Sequence, residues 1–362
     1  MRIVKPTLRR PLILAVCAVS VVVLSGCSNL SYYAQLASGQ LALLRAREPI
    51  TRVLGDADAD PALKQRLQRV SAARQWAVQH LDLPDNGSYT SYADLQRPYV
   101  VWNVFATPEF SLEPVEHCFP ISGCLAYQGY YAQADAEARA AELAARGADV
   151  YVGGVPAYST LGWFDDPVTS TMMRWNDAAL IGTLFHELAH QKLYVQDDTR
   201  FNESFAEFVE DQGLREYLSA HPDTDAPAAD SRHRSQQFAE LIVHTREKLE
   251  ALYASGVGEN VMRVRKAELF AQLRTDYAQL RDDEWGGDTR YDAWFADGAL
   301  NNAKLLPFGL YDEDLPAFAA LFEEAGRDWP RFFAAAESLS RAPEQERQQQ
   351  LQALRVRTAF NR

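Results

Sequence analysis

The chain has 362 residues, of which 47% are hydrophobic and 23% are charged, so it can bury one large core or two smaller ones. Its 49 acidic residues outnumber its 36 lysine and arginine residues, which gives a formal net charge of −13. Such an acidic balance argues against a nucleic-acid-binding protein, because that binding depends on positive side chains at the phosphates.

Residues 1–26 have the pattern of a secretory signal peptide. Four positive residues lie among the first ten, and an apolar run over residues 11–24 follows, too short for a confident membrane span. The sequence Leu24-Ser25-Gly26-Cys27 is similar to a bacterial lipobox, in which Cys27 carries the lipid, including palmitate, as the first mature residue. Ser28 favours transfer to the outer membrane. We therefore expect a lipid-anchored protein facing the periplasm, without a spanning helix in the mature chain.

Removal of this signal makes the protein more acidic. The mature chain keeps 32 lysine and arginine residues against 49 acidic residues, a formal net charge of about −17. An acidic surface suits cationic peptides, although solubility explains it equally well.

The predicted elements give a mostly helical α+β fold. Helical periodicity runs from Tyr33 to His80 with a break at Pro49, and this pattern defines an N-terminal helical segment over residues 27–97. A core over residues 98–228 has predicted strands at 99–106, 125–130 and 150–155, and an alanine-rich helix at 133–146. Residues 229–362 form a helical C-terminal region, in which a turn at 256–258 joins two long helices. We expect this region to form part of the cleft.

Cys118 and Cys124 are the two cysteines that remain besides Cys17 in the signal and Cys27. They lie close together in a chain that would fold in an oxidising compartment, so the sequence predicts a disulfide that closes a small loop. The neighbouring His117 leaves a second metal site as the alternative.

The sequence His186-Glu187-Leu188-Ala189-His190 indicates a metal site on a helix. Residues four apart share one helix face, so His186 and His190 can present ring nitrogens to one ion. Glu187 lies beside them and could accept a proton from a water that the metal makes more acidic. The helix itself is predicted by an apolar stripe and by a start capped by Asn176 or Asp177. The stripe comprises Leu180, Ile181, Leu184, Phe185 and Leu188.

A catalytic zinc needs a third protein ligand, and the candidates are Glu203, Glu207 and Glu210. These carboxylates form one stripe on a second predicted helix, while Phe201, Phe205, Phe208 and Val209 face the other way. They cannot all bind the ion directly. Glu210 is the rival to Glu203, because its spacing from His190 resembles that in thermolysin-like zinc enzymes. A tight turn and helix cap at 197–199 would allow the shorter connection that Glu203 requires.

The motif resembles the gluzincins, zinc peptidases with two histidines and a later glutamate in an Asn-Glu-x-x-Ala-like context. Asn202-Glu203-Ser204-Phe205-Ala206 matches that context, so the resemblance implies one zinc per chain held by His186, His190 and Glu203, with Glu210 as the alternative ligand. Glu207 would then resemble the acid that holds a ligand histidine through its other ring nitrogen. The resemblance also implies a zincin-like core, with a small sheet packed on the active-site helix.

A wider resemblance is to a bacterial family described as putative aminopeptidases. It is carried by Tyr32-Tyr33, Gly39-Gln40-Leu41, the stretches 83–89 and 157–164, and Asn301-Asn302-Ala303. It implies a peptide substrate.

The expected mechanism has Glu187 as the general base, with Tyr158 or Tyr311 as the donor that stabilises the oxyanion. The Gly-x-Met-Glu-Asn element that recognises the substrate ammonium in well-known gluzincin aminopeptidases is absent from the sequence. Glu207, Glu210, Asp165 and Asp166 are the spare carboxylates that could replace it. An envelope endopeptidase, or an inactive zinc-binding lipoprotein that acts as a scaffold, are the alternatives.

Overall fold

The computed structural model describes residues 30–119, 123–157, 159–160, 162–224, 229–296, 300–308 and 314–360. Residues 47–362 form one compact unit, and residues 1–46 form another, whose described part is helix α1 (residues 30–45). The predicted signal peptide and Cys27 lie outside the described residues. The boundaries near residues 97 and 228 fall within the larger unit, and this division remains a prediction.

The larger unit begins with strand β1 (Arg47–Pro49), helix α2 (Ile50–Gly55) and helix α3 (Pro61–His80). Asp60 starts α3 because its side chain accepts a hydrogen bond from the Ala62 N–H, while Pro61 occupies the first helical position. The predicted helical pattern with a break at Pro49 is therefore confirmed.

Two three-stranded sheets follow. In the first, β2 (Ser91–Ala93) pairs antiparallel with β1 and parallel with β8 (Val168–Thr169). In the second, β3 (Val101–Pro108) lies between β6 (Tyr127–Tyr130) and β7 (Ala148–Val155), and both pairings are antiparallel. Helix α4 (Gln133–Ala144) packs on this second sheet. The three predicted strands and the alanine-rich helix are confirmed, with ends shifted by about two residues.

A disulfide joins the two strands of a short hairpin. Strands β4 (His117–Phe119) and β5 (Gly123–Leu125) pair with Cys118 opposite Cys124, and the two sulfurs are bonded. The predicted disulfide is confirmed. Both thiols are consumed by it, so they offer no thiolate for the alternative metal site.

Helices α5 (Asp177–Lys192) and α6 (Thr199–Ala220) pack directly against each other after a 3₁₀ turn at Met172–Arg174. The predicted apolar positions of both helices are buried: Leu180, Ile181, Leu184, Phe185 and Leu188 in α5, and Phe201, Phe205, Phe208 and Val209 in α6. The residues that the amphipathic pattern predicts to be buried are therefore the ones that pack in the core.

The C-terminal hairpin consists of α7 (Ala229–Ala254) and α8 (Glu259–Gln279), followed by a π-helical turn at Leu280–Glu284. Short helices α9 (Asp292–Ala296) and α10 (Asn302–Leu305) complete a second apolar cluster around Phe238, Ile242 and Leu273. Polar bonds fasten it to the second sheet, including a 2.5 Å ion pair between Lys266 Nζ and Asp149 Oδ2.

Helices α11 (Leu315–Glu324), α12 (Trp329–Ser340) and α13 (Glu344–Phe360) close the main core. Aromatic rings from α11 and α12 pack at an angle against those of α6, as in the edge-to-face pair Phe205–Phe318 and the tilted pair Phe208–Phe332. Residues of α3, α5 and β8 belong to the same cluster, so the helix that carries the histidines lies in the largest core of the protein. Within the described ranges, no helix is both long and apolar enough to cross a membrane.

Candidate metal centre

The first half of the site is the face of α5 that carries His186 and His190. Asn176 caps this helix by accepting a hydrogen bond from the Ala179 N–H at 2.8 Å, so the alternative cap at Asp177 is not the one used. Burial of the apolar stripe fixes the rotation of α5 about its axis. As a result, His186 and His190 lie on the same face of the helix. Their Nε2 atoms lie 3.1 Å apart.

The second half depends on the connection between α5 and α6. Asn202 closes this connection with two 2.7 Å hydrogen bonds, because its side chain accepts from the Val195 N–H and donates to the Val195 carbonyl. Asp198 caps α6 by accepting from the Phe201 N–H at 3.0 Å. It also forms a buried ion pair with Arg347 at 2.6 Å. Asn202 and Asp198 therefore make the short connection possible, and Glu203 enters the site one turn after the start of α6.

Glu203 lies between the two histidines. Its Oε2 is 3.4 Å from Nε2 of His186, and its Oε1 is 3.7 Å from Nε2 of His190. Ligand bonds of about 2.0–2.1 Å at tetrahedral angles require donor atoms about 3.3 Å apart. The two Nε2 atoms are 3.1 Å apart, and each lies 3.4 or 3.7 Å from the nearer of the two Glu203 oxygens, so all three distances are near that value. The residues therefore fit a zinc ion.

Glu210 lies behind His186. Its Oε2 is 3.1 Å from Nδ1 of His186, on the opposite side of the ring from the Nε2 that faces Glu203. Gly182, one turn before His186, makes room for this carboxylate, since a Cβ there would lie 2.7 Å from Glu210 Oε1. Glu207 belongs to the same neighbourhood, because ligand atoms of His186, Glu207 and Glu210 all lie within 4.8 Å of one another.

The electrostatics of the cluster favour a bound cation. Burial alone would raise the pKa of Glu203, but hydrogen bonds from His186 and His190 lower that pKa well below its usual range. Burial opposes a charge on His186, yet Glu203 and Glu210 together raise its pKa. A half-buried carboxylate whose pKa is lowered in this way stays negatively charged at neutral pH. It can therefore bind a positive ion.

Glu187 has the opposite character. Burial raises its pKa above the ordinary glutamate value, and the nearby charges of Glu203 and Glu210 act in the same direction against those of the two histidines. A carboxylate with raised pKa is a better proton acceptor near neutral pH. This property is what a general base beside a metal requires.

Three further residues lie within electrostatic reach of the site. Burial raises the pKa of Asp166 to about 6, and the charge of Glu187 adds to this effect. Burial and the charges of Glu187 and Asp166 raise the pKa of Tyr89. Burial followed by the charges of Glu203 and Asp197 raises the pKa of Tyr194. Neither tyrosine is predicted from the sequence as a site residue, although each has a signal there: Tyr89 ends the stretch 83–89 that carries the family resemblance, and Tyr194 lies four residues after His190.

Two predicted residues cannot be placed. Tyr158 and Tyr311, the candidates for stabilising the oxyanion, lie outside the described residues. Their roles remain predictions.

The fold and the cluster together define a mostly helical α+β protein with a two-histidine, one-glutamate centre between two core helices. The chain belongs to the family described as "putative aminopeptidase", which it matches over residues 31–351. No curated protein and no solved structure matches it significantly. Family membership indicates a peptidase.

Proposed function

We propose that this protein is a zinc-dependent peptidase whose ion is held by His186, His190 and Glu203. The observation that supports this most strongly is the convergence of two Nε2 atoms and the Glu203 carboxylate at separations of 3.1, 3.4 and 3.7 Å. Two histidines and a glutamate are a donor set of catalytic zinc sites, which keep a fourth position open. Such an ion supplies Lewis acidity to a substrate carbonyl and acidity to a water molecule.

The chain's own residues would divide the remaining work. Glu187 would accept the proton of the attacking water and return it to the leaving amine, which its raised pKa suits. Glu210 would orient the His186 ring through Nδ1, so the supporting role that the sequence suggested for Glu207 moves to Glu210 in this proposal. The core packing of α5 and α6 would hold this geometry and keep the zincin-like arrangement rigid.

Aminopeptidase activity is the form that the family description favours. It requires a carboxylate for the substrate ammonium. Asp166 is unsuited to this task, because it is 1% exposed and already accepts hydrogen bonds from Thr160. Glu207, which shares the neighbourhood of His186, and the exposed Asp165 remain the candidates for the ammonium.

The proposed place of action is the periplasmic face of the outer membrane. The signal-like segment 1–26 and the lipobox-like sequence ending at Cys27 support lipid anchoring. The disulfide at Cys118–Cys124 is in keeping with an oxidising compartment. Labelling with a radioactive or alkyne-tagged fatty acid, with Cys27→Ala as control, tests the anchor directly. Equal labelling of both proteins would refute it.

The test of the activity is a peptidase assay on Glu187→Gln beside the parent, with zinc content measured on both. The amide keeps the size of the side chain but cannot accept the proton, so activity should fall about 10²–10⁴-fold while zinc content stays at one per chain. Undiminished activity in the variant would refute the proposed mechanism. A parent that binds zinc but cleaves no peptide would favour the scaffold alternative.

A further inference from the structure

The loop of residues 162–166, here called the aromatic loop, carries two adjacent exposed aromatic side chains. Trp163 is 69% exposed and Phe164 is 47% exposed. Single exposed apolar residues are common on protein surfaces and need no explanation. Two neighbouring rings on one loop form a small apolar surface. Whether this surface can bind a ligand depends on where the loop lies and how rigidly it is held.

The aromatic loop lies beside the second half of α5. The position of a Cβ on Gly162 would be 3.8 Å from Cγ of Gln191, the residue that follows His190. Gly162 has φ of +80°, a conformation that favours glycine and turns the chain at this point. Asp166 lies at the other end of the loop. Its charge raises the pKa of Tyr89, and the charge of Glu187 raises the pKa of Asp166, so these groups lie near one another. The loop therefore begins against Gln191 of α5 and ends at Asp166, which lies within electrostatic reach of Glu187.

Hydrogen bonds hold the loop in one conformation from within. Thr160 is the inner anchor: its N–H donates to Asp166 Oδ2 at 2.8 Å, its hydroxyl donates to Asp166 Oδ1 at 2.9 Å, and its carbonyl accepts from the Trp163 N–H at 3.0 Å. The Phe164 N–H donates to the Thr160 hydroxyl at 3.1 Å. The aromatic rings are therefore presented on a closed turn and not on a free strand of chain.

The loop is also fixed to the rest of the protein. The Asp166 carbonyl accepts from the Tyr89 N–H at 2.6 Å, and the Asp165 carbonyl accepts from Nη1 of Arg47 at 2.7 Å. Gly87 allows the Asp165 side chain to approach its backbone closely, because a Cβ at this position would collide with the Asp165 carboxylate. An apolar surface that is ordered before it binds loses little conformational entropy on binding.

From this arrangement we propose that Trp163 and Phe164 form the subsite for an aromatic or bulky aliphatic side chain of the peptide substrate. The inference rests on the proposed peptidase function and names the residues that set its specificity. A ligand of this kind would gain free energy by burying its side chain against the rings, on a loop that contacts α5 at Gln191, next to His190. An anionic lipid surface is disfavoured as the occupant, since Asp165 adjoins the rings and the mature chain carries a formal charge of about −17.

The experiment uses peptides in which one phenylalanine is moved through an otherwise constant alanine-containing sequence. Values of kcat and KM are measured for the purified zinc-loaded parent, Trp163→Ala, Phe164→Ala and Trp163→Phe. Val264→Ala, which changes an exposed apolar side chain on α8, is the matched control. At one peptide position phenylalanine should raise kcat/KM about tenfold in the parent, and Trp163→Ala should remove this preference mainly through KM. Trp163→Phe should keep most of it, and Val264→Ala should match the parent on every peptide.

Two results would overturn the inference while the peptidase function stands. One is a preference for phenylalanine that survives both alanine variants. The other is an equal loss for alanine and phenylalanine peptides, which would mean that the loop supports the site only structurally. Binding of the parent to phosphatidylcholine vesicles that is lost in Trp163→Ala, without a change in peptide preference, would assign the rings to a membrane and also reject the subsite. A parent whose peptide cleavage equals that of Glu187→Gln would reject the proposed function itself, and the subsite with it.

Discussion

Two polar clusters in this protein use similar side chains for different purposes. At the junction of α10 with the second sheet, Asn302 donates to the carbonyls of Glu109 and Ser111 and accepts from the Tyr253 hydroxyl, while Lys266 pairs with Asp149. Each donor there has an acceptor. Between α5 and α6, ring nitrogens and a carboxylate converge instead on a common point.

The difference distinguishes a structural cluster from a site. A buried network in which every group is satisfied stabilises one arrangement and has nothing left to offer a ligand. A cluster of histidine nitrogens and a carboxylate that face one another is stabilised by positive charge among them, supplied by protons on the histidines or by a metal ion. Substitutions in the first cluster should therefore change stability, and substitutions in the second should change metal binding.

The largest expected effect is on the structural cluster. Asn302→Ala removes three side-chain hydrogen bonds and leaves the part-buried Tyr253 hydroxyl and the Glu109 and Ser111 carbonyls without these partners. The free energy of unfolding should fall by about 3–5 kcal/mol, with zinc content unchanged. Urea unfolding measures the first quantity and elemental analysis the second. Asn260→Ala, an exposed position on α8, is the control, and a loss of zinc from Asn302→Ala would contradict the separation of the two clusters.

The next prediction concerns the stability contributed by Asp166, a carboxylate that accepts hydrogen bonds from Thr160 and lies near Glu187. Its folded pKa of about 6 is above the ordinary value of 3.8, so the folded protein binds the extra proton between these pH values and stability falls as pH rises through that window. At about 1.4 kcal/mol per unit of pKa, the loss reaches about 3 kcal/mol. In metal-free protein the unfolding free energy of Asp166→Asn relative to the parent should rise by that amount from pH 4 to pH 7. A constant difference across this range would show that Asp166 ionises normally.

Glu210→Gln should weaken zinc binding about 10–100-fold without abolishing it, because the variant keeps the ligands but loses the charge beside His186 Nδ1. Competition with a chromogenic chelator measures the dissociation constant. Glu207→Gln is the matched control on the same helix face and should change the constant less. An equal or larger effect of Glu207→Gln would return the supporting role to Glu207.

A smaller change in zinc affinity is expected for Gly182→Ala. The new methyl group would meet Glu210 Oε1 at 2.7 Å, so the carboxylate must move and its hold on His186 weakens. We expect the dissociation constant for zinc to increase by up to about tenfold in the same chelator assay. Gly55→Ala, where a Cβ meets nothing within 4 Å, provides the control. If Gly182→Ala binds zinc like the parent, Glu210 is not held in place by this close approach.

The parts of this architecture that could be predicted from the sequence are those with local causes. The stripe from Leu180 to Leu188 predicts α5 because burial has the period of the helix, and Asn176 predicts its start by capping. The position of Glu203 could be predicted from its motif, since Asn202 and Asp198 act within a few residues of it. These contacts are encoded in neighbouring residues.

The parts that could not be predicted depend on contacts between distant segments. Glu210 reaches His186 only because Gly182 allows two helices to approach closely, and spacing along α6 does not show this. Asp166 comes near Glu187 because Thr160 and Tyr89 fold its loop onto α5. The role of Asn302 in docking the C-terminal hairpin likewise depends on carbonyls almost two hundred residues earlier in the chain.

The central claim is that one zinc ion is held by His186, His190 and Glu203, and zinc content per chain tests it most directly. Elemental analysis of the purified protein should give one zinc for the parent and for Glu210→Ala in excess zinc, and almost none for Glu203→Ala. Zinc retained by Glu203→Ala but lost from Glu210→Ala would place the third ligand two turns further along α6 and contradict the account. A parent without zinc would contradict it altogether.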